Sequence, residues 1–222
     1  MTERVLVVAA HPDDEALGCG GTMARHALAG DGVDVVFLAD GVFSRTTADL
    51  DTRRDSARKA CAILGANVPT FFEFPDQKLE TVGFLEIVQA IEPVIAQLQP
   101  TVIYTHHGGD LNLDHRIVHQ AVMTALRPMP ASTYRAIYAF EVASSTEWAS
   151  SAIGEAFRPD HFVDINATID RKFEALQAYA QEMRDFPHAR SYEALRALAV
   201  VRGAGVGLSS VEAFVTLRSI VR

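Results

Sequence analysis

Residues 10–15, Ala10-His11-Pro12-Asp13-Asp14-Glu15, place four ionisable side chains within five positions, directly after the apolar run VLVVAA at 5–10. Carboxylates at the end of a buried strand are costly to desolvate unless they neutralise or meet a cation. A neutral imidazole and a carboxylate are ordinary zinc ligands, and a second carboxylate beside them can act as general base. The competing reading is an acidic helix start, which Asp13, Asp14 and Glu15 also suit. A second segment shifts the balance. Thr105-His106-His107-Gly108-Gly109-Asp110-Leu111-Asn112-Leu113-Asp114-His115 follows another apolar run, and His119 lies just beyond it. With His119, five of the eight histidines fall in or just beyond these two segments. His11, Asp14 and one histidine from the second segment make three ligands and leave a fourth position for water, the pattern of a catalytic zinc. Spacing does not choose that histidine. His115 and His119 stand at i, i+4, His106 suits a strand end, and His119 and His26 read as structural helix residues.

The elements that must position these residues are short apolar runs alternating with longer helical segments. Strands are expected at 5–10, 33–39, 70–74 and 101–105, and helices at 21–30, 51–64, 84–98 (through Pro93) and 114–126. This alternation predicts an α/β fold with a doubly wound, mostly parallel sheet. Ligands in such sheets sit beyond the carboxyl ends of the strands, where both histidine segments fall. The second half is less regular: strands at 135–142, 161–165 and 213–220, helices at 169–183 and 192–202. No linker-like stretch divides the chain, so a single domain over 1–222 is expected, with 1–130 as its core and 131–222 shaping a substrate pocket.

The chain has 222 residues, 49% hydrophobic and 22% charged, with a formal net charge of -8. That balance suits a globular protein and disfavours nucleic acid as a partner. Cys19 and Cys61 are too few for a disulfide framework and read as small buried residues in a reducing compartment. No run approaches the ~20 apolar residues of a membrane span, and the first strand is too short for a signal-peptide core. A cytoplasmic location and no membrane partner are therefore expected.

AHPDDE at 10–15 is followed by Gly18-Cys19-Gly20-Gly21, Arg53-Arg54-Asp55-Ser56-Ala57 and Asp110-Leu111-Asn112-Leu113-Asp114-His115. Glu141-Val142-Ala143-Ser144-Ser145-Thr146-Glu147-Trp148 and Arg202-Gly203 come later. This set resembles the LmbE-like, or PIG-L, deacetylases over essentially the whole chain. The resemblance implies a Rossmann-like fold and removal of N-acetyl groups from glucosamine-containing compounds. It implies zinc held by His11, Asp14 and His115, with Asp13 as general base and Arg53 contacting substrate polar groups. Iron(II), cobalt or manganese could occupy the same ligands. The implied partner is a small N-acylated amino sugar. Members are often oligomers, though no apolar stripe here marks an interface.

The sequence departs from the family at one place. Many members carry histidine, proposed as general acid, three residues before the third ligand, and this chain has Asn112. An amide can donate to an oxyanion but cannot deliver a proton near neutral pH. Either Asp13 handles both proton steps or another histidine supplies the acid; His107 and His188, the latter in Phe186-Pro187-His188-Ala189-Arg190-Ser191, are the candidates, and His107 is also a candidate substrate contact. Among the aromatics, Tyr138, Phe140 and Trp148 could stack on a sugar. Two further classes compete: a metal-holding binding module without catalysis, and a nucleotide-binding protein using Gly18, Gly20 and Gly21 with an acid at Asp40.

Overall fold

The computed structural model describes residues 2–39 and 50–221. Asp40 lies outside the described residues. One seven-stranded sheet runs through the molecule in the order β3-β2-β1-β4-β5-β7-β6. Its strands are β1 (Arg4–Ala9), β2 (Gly32–Ala39), β3 (Thr70–Phe74), β4 (Val102–His106), β5 (Ala136–Phe140), β6 (His161–Asp164) and β7 (Val211–Ser219). The first five pair in parallel, while β7 runs antiparallel to both β5 and β6. The second half therefore extends the same sheet. The expected α/β, mostly parallel architecture is what the chain adopts.

Among the described residues the α-helices are α1 (Asp14–Leu28), α2 (Leu50–Leu64), α3 (Phe84–Leu98), α4 (Leu113–Ala125), α5 (Ile169–Ala178) and α6 (Tyr192–Ala204). Side chains of α1, α2, α5 and α6 bury one sheet face, among them Met23, Leu64, Phe173 and Leu195. On the opposite face α3 and α4 contribute Ile87, Ile91, Val118 and Val122. Strands buried on both sides account for the unbroken apolar runs in the sequence. β1 is flanked by β2 and β4, so chain order reverses between β1 and β4. The loops that follow these two strands meet there, at the position where such sheets form clefts.

Two helices differ from the sequence expectation. The sequence predicts a helix from residue 21, but α1 begins at Asp14 and is kinked at Cys19, whose φ/ψ of -144°/22° is not helical. The kink frees N–H groups in mid-helix, and the Glu212 carboxylate on β7 accepts from Gly21 N (3.0 Å) and Thr22 N (2.7 Å). Lys172 of α5 neutralises that carboxylate at 2.6 Å. The residue-21 start is thus the start of the second half of α1. The helix expected over 169–183 ends instead at Ala178, and a separate 3-10 turn spans Ala180–Glu182. The glycines beside the kink serve close packing. A Cβ on Gly18 would lie 2.3 Å from Phe140, and one on Gly21 2.9 Å from Ile165. These glycines face the core and form no open phosphate loop, so the nucleotide-binding alternative loses its main support.

Candidate metal centre

β1 hands the chain to a tight turn in which Asp14 N–H donates to His11 O at 3.3 Å. Asp13 sits in that turn at φ 126°, a conformation uncommon for a residue with a side chain. Such strain costs on the order of 1–3 kcal/mol and persists only where its surroundings hold it. Here Asp13 N–H donates to Glu15 Oε2 at 3.1 Å, and Tyr179 Oη donates to Glu15 Oε1 at 2.7 Å. The turn leaves Asp13 lining a cleft while Asp14 opens α1 from within it.

The loop after β4 supplies the facing side. Asn112 caps α4, its side-chain oxygen accepting from Asp114 N at 2.9 Å, and the first turn of α4 carries Asp114 and His115 inward. Asp14 Oδ2 lies 3.3 Å from His11 Nδ1 and 3.4 Å from His115 Nε2. Ligand atoms about 2.0–2.1 Å from a tetrahedral ion stand ~3.3–3.4 Å apart. Along these two edges the atoms have the spacing of a chelating set, and all three residues are buried.

Each imidazole is held from behind. His11 Nε2 lies 3.0 Å from Asp114 Oδ2 and 3.1 Å from Asp76 Oδ1. Asp114 is itself fixed by the N–H groups of Gln77 (2.8 Å) and Leu79 (3.1 Å). His115 Nδ1 faces Asp110 Oδ1 at 3.1 Å, too obliquely for a straight hydrogen bond. Asp110 also accepts from Ser145 Oγ, from Thr146 Oγ1 at 2.5 Å and from Asn112 N at 2.8 Å. Carboxylates behind ligating imidazoles fix the ring orientation and raise ligand basicity.

The charges are arranged for a cation. Burial opposes a charged His11, yet Asp114, Asp14 and Asp76 raise its pKa well above the usual value. Burial likewise opposes charge on His115, and Asp14 and Asp110 outweigh it, raising the pKa to about 9. Burial pushes Asp14 up, but the imidazoles of His115 and His106 hold it well below the usual carboxylate range. Asp13 behaves differently: burial raises it to about 6, with Arg190 opposing. Next to one firmly ionised carboxylate there is thus a second whose proton comes and goes near neutrality. A buried set of two histidines and a carboxylate, surrounded by further carboxylates, fits a divalent metal.

The cleft has a volume of about 480 Å³, and His11, Asp13, Asp14, His115, Asn112, Arg53 and His188 all line it. Arg53 forms an ion pair with Glu182 and reaches Pro12 O at 3.4 Å. His188 Nδ1 accepts from Arg190 N at 3.0 Å, which puts the proton of the neutral ring on Nε2. His107 is not brought in. Its ring is buried, Nε2 pairs with Glu155 O at 2.9 Å, and Phe157 packs edge-on against it. His106 is also excluded as a ligand, since Ala10 N donates to its Nε2 at 2.8 Å and its ring stacks on His115. His119 pairs with His106 O, and His26 with Asp31 and Tyr104, as structural residues do. Phe140 is core and Tyr138 packs on His161, leaving Trp148 as the aromatic of the three that lines the cleft.

Sequence reasoning missed Asp76, Arg190 and Glu182, and gave Asp110 and Asp114 no role. Asp76 follows β3 on the same rim as the other two loops, so the rule that singled out His11 reaches it too. Arg190 and Glu182 carry no local signal.

Residues 6–126 match the family described as PIG-L, GlcNAc-PI de-N-acetylase. The chain is 28% identical over 207 residues to a probable N-acetyl-alpha-D-glucosaminyl L-malate deacetylase 2 of Bacillus cereus, covering 86% of this chain and 90% of that one. It is 30% identical over 198 residues to a 4-oxalmesaconate hydratase of Pseudomonas putida, covering 79% and 72%. A conserved protein of Thermus thermophilus superposes with a TM-score of 0.80 at 25% identity, covering 100% and 97%.

Proposed function

The chain belongs to the PIG-L family of de-N-acetylases, and from that premise we propose that it is a zinc-dependent hydrolase removing an N-acetyl group from a glucosamine-containing small molecule. One observation carries the reading: the metal-ligand set His11, Asp14 and His115 opens into the same cleft as Asp13, a carboxyl poised near pH 6.

His11, Asp14 and His115 are the ligands, with Asp114 and Asp110 fixing the two rings. A bound zinc would supply Lewis acidity, bringing the pKa of a ligated water to ~7 and polarising an amide carbonyl. Asp13 accepts the proton of the attacking water, and its pKa of about 6 leaves it ionised at neutral pH yet basic enough for the task. The leaving amine needs a proton. Asn112 cannot give one: its oxygen caps α4 and its amide nitrogen points to Gln77 Oε1 at 3.3 Å. Asp13 returns to the amine the proton it took from the water, so that it handles both proton steps, while the Nε2–H of His188 and the remaining N–H of Asn112 are available to the oxyanion. Arg53, held by Glu182, contacts substrate hydroxyls or carbonyls. His107 has no part in this scheme, because it faces Glu155 and Phe157.

The experiment is acetate release from a panel of N-acetylglucosamine derivatives by protein of known zinc content: free sugar, chitobiose, inositol- and malate-linked forms, and a nucleotide sugar. Metal-dependent release is expected from at least one, and none from any fully loaded sample would overturn the reading. A second reading, a hydratase adding water to a carbon–carbon double bond, is favoured by the 30% identical hydratase. It would show as loss of a conjugated acid's absorbance with no acetate formed.

A further inference from the structure

The floor and the rim of the cleft differ in kind. His11, Asp14 and His115 are no more than 5% exposed, whereas Trp148 is 53% exposed. Core packing does not explain an indole in that position; its ring is met edge-on by His188 at 5.6 Å. Arg184 lines the same cleft and is exposed. The three arginines of the cleft are placed very differently. Arg53 pairs with Glu182 and Arg190 with Asp13. Arg184 has no carboxylate partner among the described residues: only its Nη1 is engaged, by the main-chain oxygens of Gln181 and Met183, each at 2.8 Å. That anchoring leaves the edge formed by Nε and Nη2, the fork that matches a carboxylate or phosphate. On a chain of net charge -8, an open guanidinium fork in a cleft is an anion-selecting element.

On the footing of the deacetylase reading above, we propose that Trp148 and Arg184 form the subsite for the half of the substrate that departs with the amine, and that this half carries a ring bearing a carboxylate or phosphate. The scissile acetamide must lie on the buried floor, beside the metal ligands and Asp13. What projects to the exposed rim is then the group farthest from the acetyl. An indole face receives a ring or an apolar sugar face, and the Arg184 fork receives the anion beside it.

Trp148 is the only tryptophan in the chain, so its emission reports occupancy of the rim directly. The test titrates zinc-loaded protein with three free amines, the methyl, phenyl and 4-carboxyphenyl glucosaminides, which bind as products whether or not the protein turns over. Affinity is expected to rise from methyl to phenyl to carboxyphenyl, the last step being roughly tenfold or more. Arg184→Gln should abolish the carboxyphenyl preference while phenyl still exceeds methyl, and Arg184→Lys should keep only part of it. Calorimetry on Trp148→Ala should show phenyl and methyl bound alike. Equal wild-type affinity for phenyl and carboxyphenyl, or an unchanged preference in Arg184→Gln, would overturn the subsite. Acetate release from the three N-acetylated counterparts separately reports the deacetylase reading, so the two can fail independently.

Discussion

Nη1 of Arg190 donates to Oδ2 of Asp13 at 2.9 Å, across 177 positions of sequence. The same arginine donates through Nε to Ser144 Oγ at 2.7 Å, and its main-chain N–H holds His188. One residue thus links the proposed base, the loop after β5 and the histidine of the cleft. Burial raises the Asp13 pKa and Arg190 lowers it. As a base Asp13 works ionised, so activity should fall as pH drops below about 6. Arg190→Gln removes the lowering charge, and the acid limb of the kcat/KM profile should move to higher pH. An unmoved limb would show that this pair does not tune the base.

Asp13→Asn should keep the zinc and lose roughly 10²–10⁴-fold in kcat, the usual contribution of a general base. His115→Ala should lose the metal itself. Metal analysis beside turnover separates the two; equal zinc and equal activity in both variants would contradict these roles.

Asp110 stands behind His115 and also gathers Ser145, Thr146 and Asn112. Asp110→Ala should weaken zinc binding by about 10–100-fold, as loss of a carboxylate behind a ligating histidine does. Competition with a chromogenic chelator measures this directly. Wild-type affinity in the variant would mean that packing alone orients the ring.

Lys172 and Glu212 are a buried pair that closes the kink in α1. Lys172→Met leaves a carboxylate buried without its cation and should cost about 3–5 kcal/mol in denaturant unfolding. Adding Glu212→Gln should recover part of that loss. Additive effects of the two substitutions would contradict the coupling.

Glu15 lies fully inside the fold, and burial raises its pKa to about 8 although Tyr179 opposes this. The folded state therefore retains a proton that the unfolded chain releases above about 4.5. Its contribution to stability is present at low pH and is lost as pH rises toward 8, by on the order of a few kcal/mol. Glu15→Gln mimics the protonated form, accepting from Asp13 N and donating to Tyr179. Its Tm advantage over the wild type should grow from pH 5 to pH 8. A constant difference across that range would contradict a buried, protonated Glu15.

The core strands were legible because each is buried on both faces and reads as an unbroken apolar run; β3 and α3 have the expected bounds. The kink that joins residues 14–20 to the rest of α1 was not, because the carboxylate that accepts its freed N–H groups, Glu212, is some 190 positions away. The proposed metal ligands fall on one rim because they follow β1 and β4, which the sheet order makes neighbours, whereas the choice of His115 among the histidines rests on the family resemblance. Asp76 follows the same logic on β3. Arg190, Arg184 and Glu182 come from the irregular stretch after α5, where no periodicity says which side chains turn inward. His107 shows the converse limit: it stands one residue from a strand end on the correct rim, yet turns toward Glu155.

The most direct measurement of the central claim is acetate release from the N-acetylglucosamine panel before and after zinc is stripped, and again after one equivalent is restored. The account predicts release that disappears with the metal, returns with it and is roughly 10²–10⁴-fold slower in Asp13→Asn. Release that persists without metal, or no release from any fully loaded sample, would contradict it.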